Sequence, residues 1–310
     1  MPHVHRVPTR LRVVLAGLLA GAVLGIVRLL TAGTGPSGSP TLERLTISAV
    51  SGLLYGAVLA PLAMRLPPRR WVRLASLFVP LYVTGTLTDL IEAFFFTALL
   101  TPVSLVAALV IEAVPALLVA LIVAALVPTA PSTPHARPAW WRQRSLPAWG
   151  WRLLVVGLLY VPAYYGFAAL VAPIEHPFYS DPAFVAQLHT RTPPDSVIVP
   201  LEVLRGALFG LALLPVLAVL PGRRWSSLAY LTLIGVVLEA IVPLLGLTSW
   251  PLAMRLGNVA ELTGDALARA AAALALLACP PAVSRDDWRA VQHWLSRKPG
   301  PRALEPDRRA

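Results

Sequence analysis

The sequence predicts an all-α fold: a polytopic membrane bundle of about eight transmembrane helices in two parallel four-helix repeats. Three observations predict it. Hydrophobic residues make up 57% of the 310-residue chain and charged residues only 13%, with a mean hydropathy of +0.70, far from the balance of a soluble domain. Apolar runs of about 20 residues, the length that crosses a bilayer, recur along the chain. The chain is also written twice. Gly52-Leu53-Leu54-Tyr55-Gly56, followed by Pro61 and Pro67-Pro68-Arg69-Arg70-Trp71, returns as Gly206-Ala207-Leu208-Phe209-Gly210, Pro215 and Pro221-Gly222-Arg223-Arg224-Trp225. A repeat of this kind lets positions be compared inside one chain.

Spans are expected near 13–30, 45–64, 73–100, 103–127, 151–172, 200–220, 227–247 and 252–279. Polar or Pro/Gly-rich breaks at 33–40, 128–150 and 173–200 separate them. The basic stretch from Met1 to Arg12 leads into apolar residues without a convincing small-residue cleavage site, which predicts a retained first span. The divisions are a first repeat over 1–128, a cytoplasmic Pro/Trp-rich linker over 129–150, a second repeat over 151–280 and a cytoplasmic amphipathic tail over 281–310.

Charge orients the bundle. The formal net charge is +11, but the basic residues sit in short loops between apolar runs. That is the positive-inside pattern and not a nucleic-acid surface. Arg6, Arg10 and Arg12, then Arg65, Arg69, Arg70 and Arg73, then Arg137, Arg142, Arg144 and Arg152, then Arg223 and Arg224 all fall on one side. The tail adds Arg285, Arg289, Arg297, Lys298, Arg302, Arg308 and Arg309. The alternate loops hold little beyond Arg28, Arg44 and Arg191. Both termini are therefore expected in the cytoplasm. Lys298 is the sole lysine, and Ala, Leu and Pro abound, which points to a GC-rich bacterial source and its cytoplasmic membrane. A single cysteine, Cys279, excludes an internal disulfide and a thiolate metal cluster.

The duplication reaches all four spans of each half. Leu11-Arg12-Val13-Val14 with Gly17-Leu18-Leu19 resembles Trp151-Arg152-Leu153-Leu154 with Gly157-Leu158-Leu159. Ile91-Glu92-Ala93 matches Leu238-Glu239-Ala240 after a gap of about two helical turns. Thr101-Pro102 then matches Trp250-Pro251, and Glu112 falls on Glu261. An even number of spans per repeat makes the halves parallel, related by a pseudo-twofold axis along the membrane normal.

Glu92, Glu112, Glu239 and Glu261 are the main candidate site. Their distances from the span ends put all four roughly 12–15 Å below the outer surface of a ~30 Å core. Each costs roughly 2.5–3.5 kcal/mol facing lipid, so each is expected to face the interior, a cavity or a partner. Such a set binds a cation, relays protons, or glues helices as satisfied pairs. Arg255, Asn258, Glu261, Asp265 and Arg269 share one face of the last span. Asp265 and Arg269 are spaced to pair at i, i+4. A wet polar stripe fits this face, and so does an ion-paired seam against Asp89 and Glu92. The matching helix of the first half keeps only Glu112, with Pro115 expected to kink it.

Gly17, Gly21 and Gly25, with Gly52/Gly56 and Gly206/Gly210, are G-x-x-x-G steps that let helix backbones approach. Asp181-Pro182 reads as an N-cap and first helical residue in the outer segment. Glu175, His176, Asp181 and His189 there match no metal-ligand spacing, and a solvated lid is expected. In the tail, Ser284 as cap and Trp288, Val291, Trp294 and Leu295 on one face predict an amphipathic helix on lipid. Trp140, Trp141, Trp149 and Trp151 read as interfacial anchors. Walker A, H-E-x-x-H, paired C-x-x-C and G-x-S-x-G motifs are absent, so ATP hydrolysis and zinc proteolysis have no support.

Pro200-Leu201-Glu202-Val203-Leu204-Arg205-Gly206, continuing to Pro215, resembles a segment of uncharacterised multi-spanning bacterial membrane proteins, where it follows an external loop and opens a span. The resemblance covers the second half and implies a bacterial polytopic protein. It carries no activity and no functional residue.

The reading that best fits parallel repeats, midplane acids and helices broken near Pro102, Pro115 and Pro251 is a transporter of a small solute, cation or proton, with no cofactor. Glu92, Glu112, Glu239 and Glu261 would couple a cation or proton, and Arg205, Arg255 and Arg269 would meet an anionic group. A non-transporting scaffold with satisfied charges is the second reading. An intramembrane enzyme using Glu261 and Asp265 as acid–base partners is the third.

Overall fold

The computed structural model describes residues 8–31, 41–130, 144–220 and 224–278. The tail helix expected over 284–298 and the anchors Trp140 and Trp141 lie outside them. Nearly all the described chain is helical. In chain order the helices are α1 (Thr9–Thr31), α2 (Thr41–Arg65), α3 (Arg70–Phe96), α4 (Pro102–Leu126), α5 (Leu146–Tyr179), the short α6 (Pro182–Leu188), α7 (Asp195–Leu217), α8 (Arg224–Gly246) and α9 (Leu252–Leu276). Extended pairing among the described residues is one bridge, Thr97 with Thr190.

Seven of these helices, α1 to α5, α7 and α8, are long and apolar enough to cross a membrane, as an integral membrane protein requires. The eighth expected span, α9, has the length but not the composition. Arg255, Glu261, Asp265 and Arg269 leave every 18-residue stretch of it with at least three charges.

Several helix starts have a local reason. Thr101 and Ser104 form a reciprocal capping box ahead of Pro102. Ser145 accepts from the Ala148 N–H before α5. Asp181 accepts from the Ala183 N–H at 2.9 Å, so the expected cap is present. Pro102 and Pro251 therefore start helices and do not break spans, and Pro115 sits within an unbroken α4. The outer segment expected at 173–200 is mostly helix. α5 runs through Pro173 and Pro177, and α7 begins at Asp195. Helix C-termini leave carbonyls without intrahelical donors, and arginines supply them. Arg73 donates to the Val127 carbonyl beyond α4. Arg144 donates to the Leu277 and Ala278 carbonyls at 2.8 and 2.9 Å. Arg191 donates to the Phe95 carbonyl at 2.7 Å and to that of Phe94.

α1 lies antiparallel on α2 through its glycines. Gly17 meets Leu53 and Gly52, and Gly21 meets Ala49 and Ser48, backbone to backbone. α4 packs on α1 and α3. In the second half α5 lies on α7 in the same antiparallel way, Gly157 against Val203 and Gly206 against Tyr160. α9 packs on α5 and α8. Between halves, α3 meets α7 and α2 meets α8. α3 and α8 each carry one π-helical turn, Val83–Leu87 and Val236–Ile241, and these turns touch, with Gly85 against Leu238. A π-turn carries more residues per turn than an α-turn, so it advances the side chains after it around the helix. Thr88 Oγ1 donates to the Val83 and Thr84 carbonyls at 3.1 and 3.3 Å at the end of the first one. Two expected anchors differ: Trp149 is buried beneath Arg144, whereas Trp151 is half exposed beside Arg152.

Candidate functional site

Two groups of charged side chains lie between the helices. The first is an ion-paired seam where α3, α5, α7, α8 and α9 meet. Arg205 is buried on α7, and its Nη1 donates to both carboxylate oxygens of Glu202 at 2.9 Å. The i, i+3 spacing puts the two on one helix face. Its Nη2 donates to Glu92 of α3, so this ion pair crosses between the halves. Arg269 of α9 pairs with Glu239, which sits in the π-turn of α8. Its guanidinium lies 3.7 Å from the Phe209 ring centre and 5.1 Å from that of Tyr160, a planar cation on aromatic faces. The Tyr160 hydroxyl donates to Asp265 Oδ2 at 3.1 Å. Tyr160, Glu202, Arg205, Glu239, Asp265 and Arg269 are all buried, and burial at this cost is sustained only with partners.

The seam is not fully satisfied. Thr84 Oγ1, Arg205 Nε, Asp265 Oδ1 and Arg269 Nη1 are buried without a hydrogen-bond partner. Thr84 and Arg269 line a cavity of about 10 Å³ together with Glu239, near the volume one water needs.

The second group lines a cavity of about 280 Å³ bounded by α1, α2, α3, α4 and α8. Arg28, Tyr55, Asp89 and Glu112 supply its polar wall, and Leu24, Leu81, Val119 and Val242 are among the apolar residues. Arg28 Nη1 donates to Ser48 Oγ at 3.2 Å and lies in the electrostatic field of Glu112 and Tyr55. Asp89, Glu112 and the Tyr55 hydroxyl make no hydrogen bond or ion pair with a described residue. Asp89 also feels Glu92, Glu239, Arg205 and Arg269, so it stands between the cavity and the seam.

The expected site residues thus divide. Asp89 and Glu112 line the cavity; Glu92, Glu239, Asp265 and Arg269 join the seam. The i, i+4 pairing of Asp265 with Arg269 gives way to cross-helix partners, Tyr160 and Glu239. Asn258 donates to Glu175 Oε1 at 2.8 Å. Glu261 lies in the electrostatic field of Glu175, Asp265, Glu92 and Arg205, and Arg255 keeps a buried Nε without a partner. The four glutamates are not at one depth. By helix rise, Glu92 is about 6 Å from the end of α3, because that helix stops at Phe96. Glu239, Glu261 and Glu112 lie about 10–15 Å from the matching ends of their helices.

Sequence reasoning missed Tyr160, Tyr55 and Glu202, left Arg28 as a stray loop charge, and placed Glu175 in a solvated loop where the structure buries it on α5. The identity Glu202-x-x-Arg205 within an apolar run was the available signal for one of these pairs. Among the described residues no group of three or more His, Cys, Asp or Glu side chains is arranged to hold a metal ion. Comparison with protein-family models, curated proteins and solved structures finds no match to this chain.

Proposed function

We propose that the protein is a small-solute transporter of the bacterial cytoplasmic membrane, with its solute site in the cavity lined by Arg28, Asp89 and Glu112. The observation that carries this reading is the cavity itself: half-buried Asp89 and exposed Glu112, which make no hydrogen bond or ion pair with a described residue, line about 280 Å³ of space between apolar helices. Acids placed there cost several kcal/mol unless something uses them. In this reading α9 is the eighth span, with its charges turned inward, and the arginine distribution keeps both termini cytoplasmic.

Two parallel repeats are supported by the pairings α1–α2, α1–α4 and α3–α4, which recur as α5–α7, α5–α9 and α8–α9. The π-turn at the middle of each third helix supports the same relation. The halves meet at α3 and α8, where a change between outward and inward states would act. Arg205–Glu92 is the ion pair that such a change would break. Arg205 keeps Glu202 on its own helix in either state, which lowers the cost of opening.

A scaffold with purely structural charges is the second reading, favoured by the closed pairs Arg205–Glu202 and Arg269–Glu239. Water access separates the two. In a Cys279→Ser background, Glu112→Cys is expected to react rapidly with a membrane-impermeant thiol reagent. Asp265→Cys, buried in the ion-paired seam, is expected to stay unreactive. A folded Glu112→Cys variant that no reagent reaches from either side would sink the transporter reading and leave the scaffold.

A further inference from the structure

We infer that the cavity takes a small organic cation, a protonated or quaternary amine whose ammonium sits on Asp89; the inference rests on the solute-site reading above.

Charge comes first. In their ionised forms Arg28 contributes one positive charge, and Asp89 and Glu112 one negative charge each. Arg28 and Glu112 lie in each other's field and compensate. Asp89 lies by the seam, where Arg205 and Arg269 are already held by Glu92, Glu202 and Glu239. It is the carboxylate left for a ligand. An anionic solute would meet two acids against one guanidinium, and a zwitterion's carboxylate would have to compete with Glu112 for the field of Arg28.

Size and wall decide the kind of cation. A bare metal ion needs about six oxygens close around it, and the space is far larger than such a cage. Leu24, Leu81, Val119 and Val242 supply the apolar part of a wall that is otherwise polar, and that part suits the hydrocarbon body of an amine held at its charged end by a few polar groups. Tyr55 adds an aromatic face and a hydroxyl, and an aromatic face attracts an ammonium. By helix rise, Arg28 lies about 5 Å from the end of α1, Asp89 about 10 Å from the end of α3 and Glu112 about 15 Å from the start of α4, so a cation entering at that end passes Arg28 and reaches Asp89 before Glu112.

The test is equilibrium binding to the purified full chain in lipid nanodiscs. n-Butylammonium is expected to raise the unfolding temperature in a saturable way, while butyrate, alanine and sodium at equal concentration do not. Asp89→Asn is expected to weaken that binding at least tenfold. Ala116→Leu, which narrows the cavity and leaves every charge in place, is expected to weaken it too, and decides the matter should Asp89→Asn fail to fold. An equal shift from butyrate or sodium overturns the assignment, as does n-butylammonium binding that both variants retain. No n-butylammonium shift together with a labelled Glu112→Cys overturns the ligand class while the transporter reading stands. No shift and no labelling overturns both.

Discussion

Replacing Arg205 by methionine is expected to destabilise the folded protein by about 3–5 kcal/mol, because it leaves Glu92 and Glu202 facing each other without their cation. Glu202 is fully buried and Arg205 nearly so, so water cannot take over the bonds Glu202 loses, whereas the partly exposed Glu92 is reached by solvent. The neutral side chain fills much of the space beside Phe209 that the guanidinium stem occupies, so the loss reports charge more than volume. The same bookkeeping predicts recovery. Adding Glu92→Gln and Glu202→Gln removes the stranded charges, and the triple variant is expected to regain most of the stability, since replacing a whole buried ionic group is often close to neutral. Reversible unfolding in mixed micelles measures both. A single variant that loses less than about 1 kcal/mol would mean that the acids are not held by Arg205, and the seam would need another description. Arg269→Met should behave likewise through Glu239, with an added loss from the face of Phe209.

What the sequence made legible was the part set by composition and local spacing. Seven apolar helices, the close glycine seams, the Asp181 cap and the inward-facing stripe from Asn258 to Arg269 all follow from runs, periods and caps. Partner choice did not. Asp265 and Arg269 sit at a spacing that favours a pair within one helix, but α8 brings Glu239 and α5 brings Tyr160 within reach, and the tertiary partners win. Register failed for a second reason. α3 and α8 each carry a π-turn, so a 3.6-residue period misplaces the side chains beyond it, and the alignment of Glu92 with Glu239 needed a gap of two turns. Counted from the common Arg-Trp start of α3 and α8, Glu239 falls opposite Gly85 and not opposite Glu92. Proline misled as well. Pro173 and Pro177 read as the edge of a loop, but neighbouring helices inside a bundle tolerate proline, and Glu175 travelled with the helix into a buried contact. Arg28 was legible only as an exception to the charge pattern; its place beside the cavity depends on α2 and α4.

Adding a single methyl group at Gly52 is expected to part α1 from α2. A Cβ there would stand 2.1 Å from the Gly21 nitrogen and 2.4 Å from the Gly17 carbonyl oxygen, and these are backbone atoms that no rotamer change can move. Overpacking in a core usually costs about 1–3 kcal/mol because side chains shift; here the helices themselves must separate, so Gly52→Ala should reach or exceed the top of that range. Helix association in a bilayer draws on close packing and not on hydrophobic burial, so the lost contact is not regained elsewhere. Gly166→Ala is the matched control: the same substitution on an apolar helix, with nothing within 4 Å of the new methyl, is expected to leave stability within about 0.5 kcal/mol or raise it slightly, since alanine is the better helix former. The second half offers an independent case, because a Cβ on Gly157 would lie 2.2 Å from the Val203 carbonyl oxygen. Since α1 carries Arg28, parting α1 from α2 should also spoil the cavity, so Gly52→Ala should lose n-butylammonium binding together with stability, whereas Gly157→Ala, on the far half, should lose stability first. Equal effects of all three substitutions on unfolding would show that the glycine contacts do not hold the helices together.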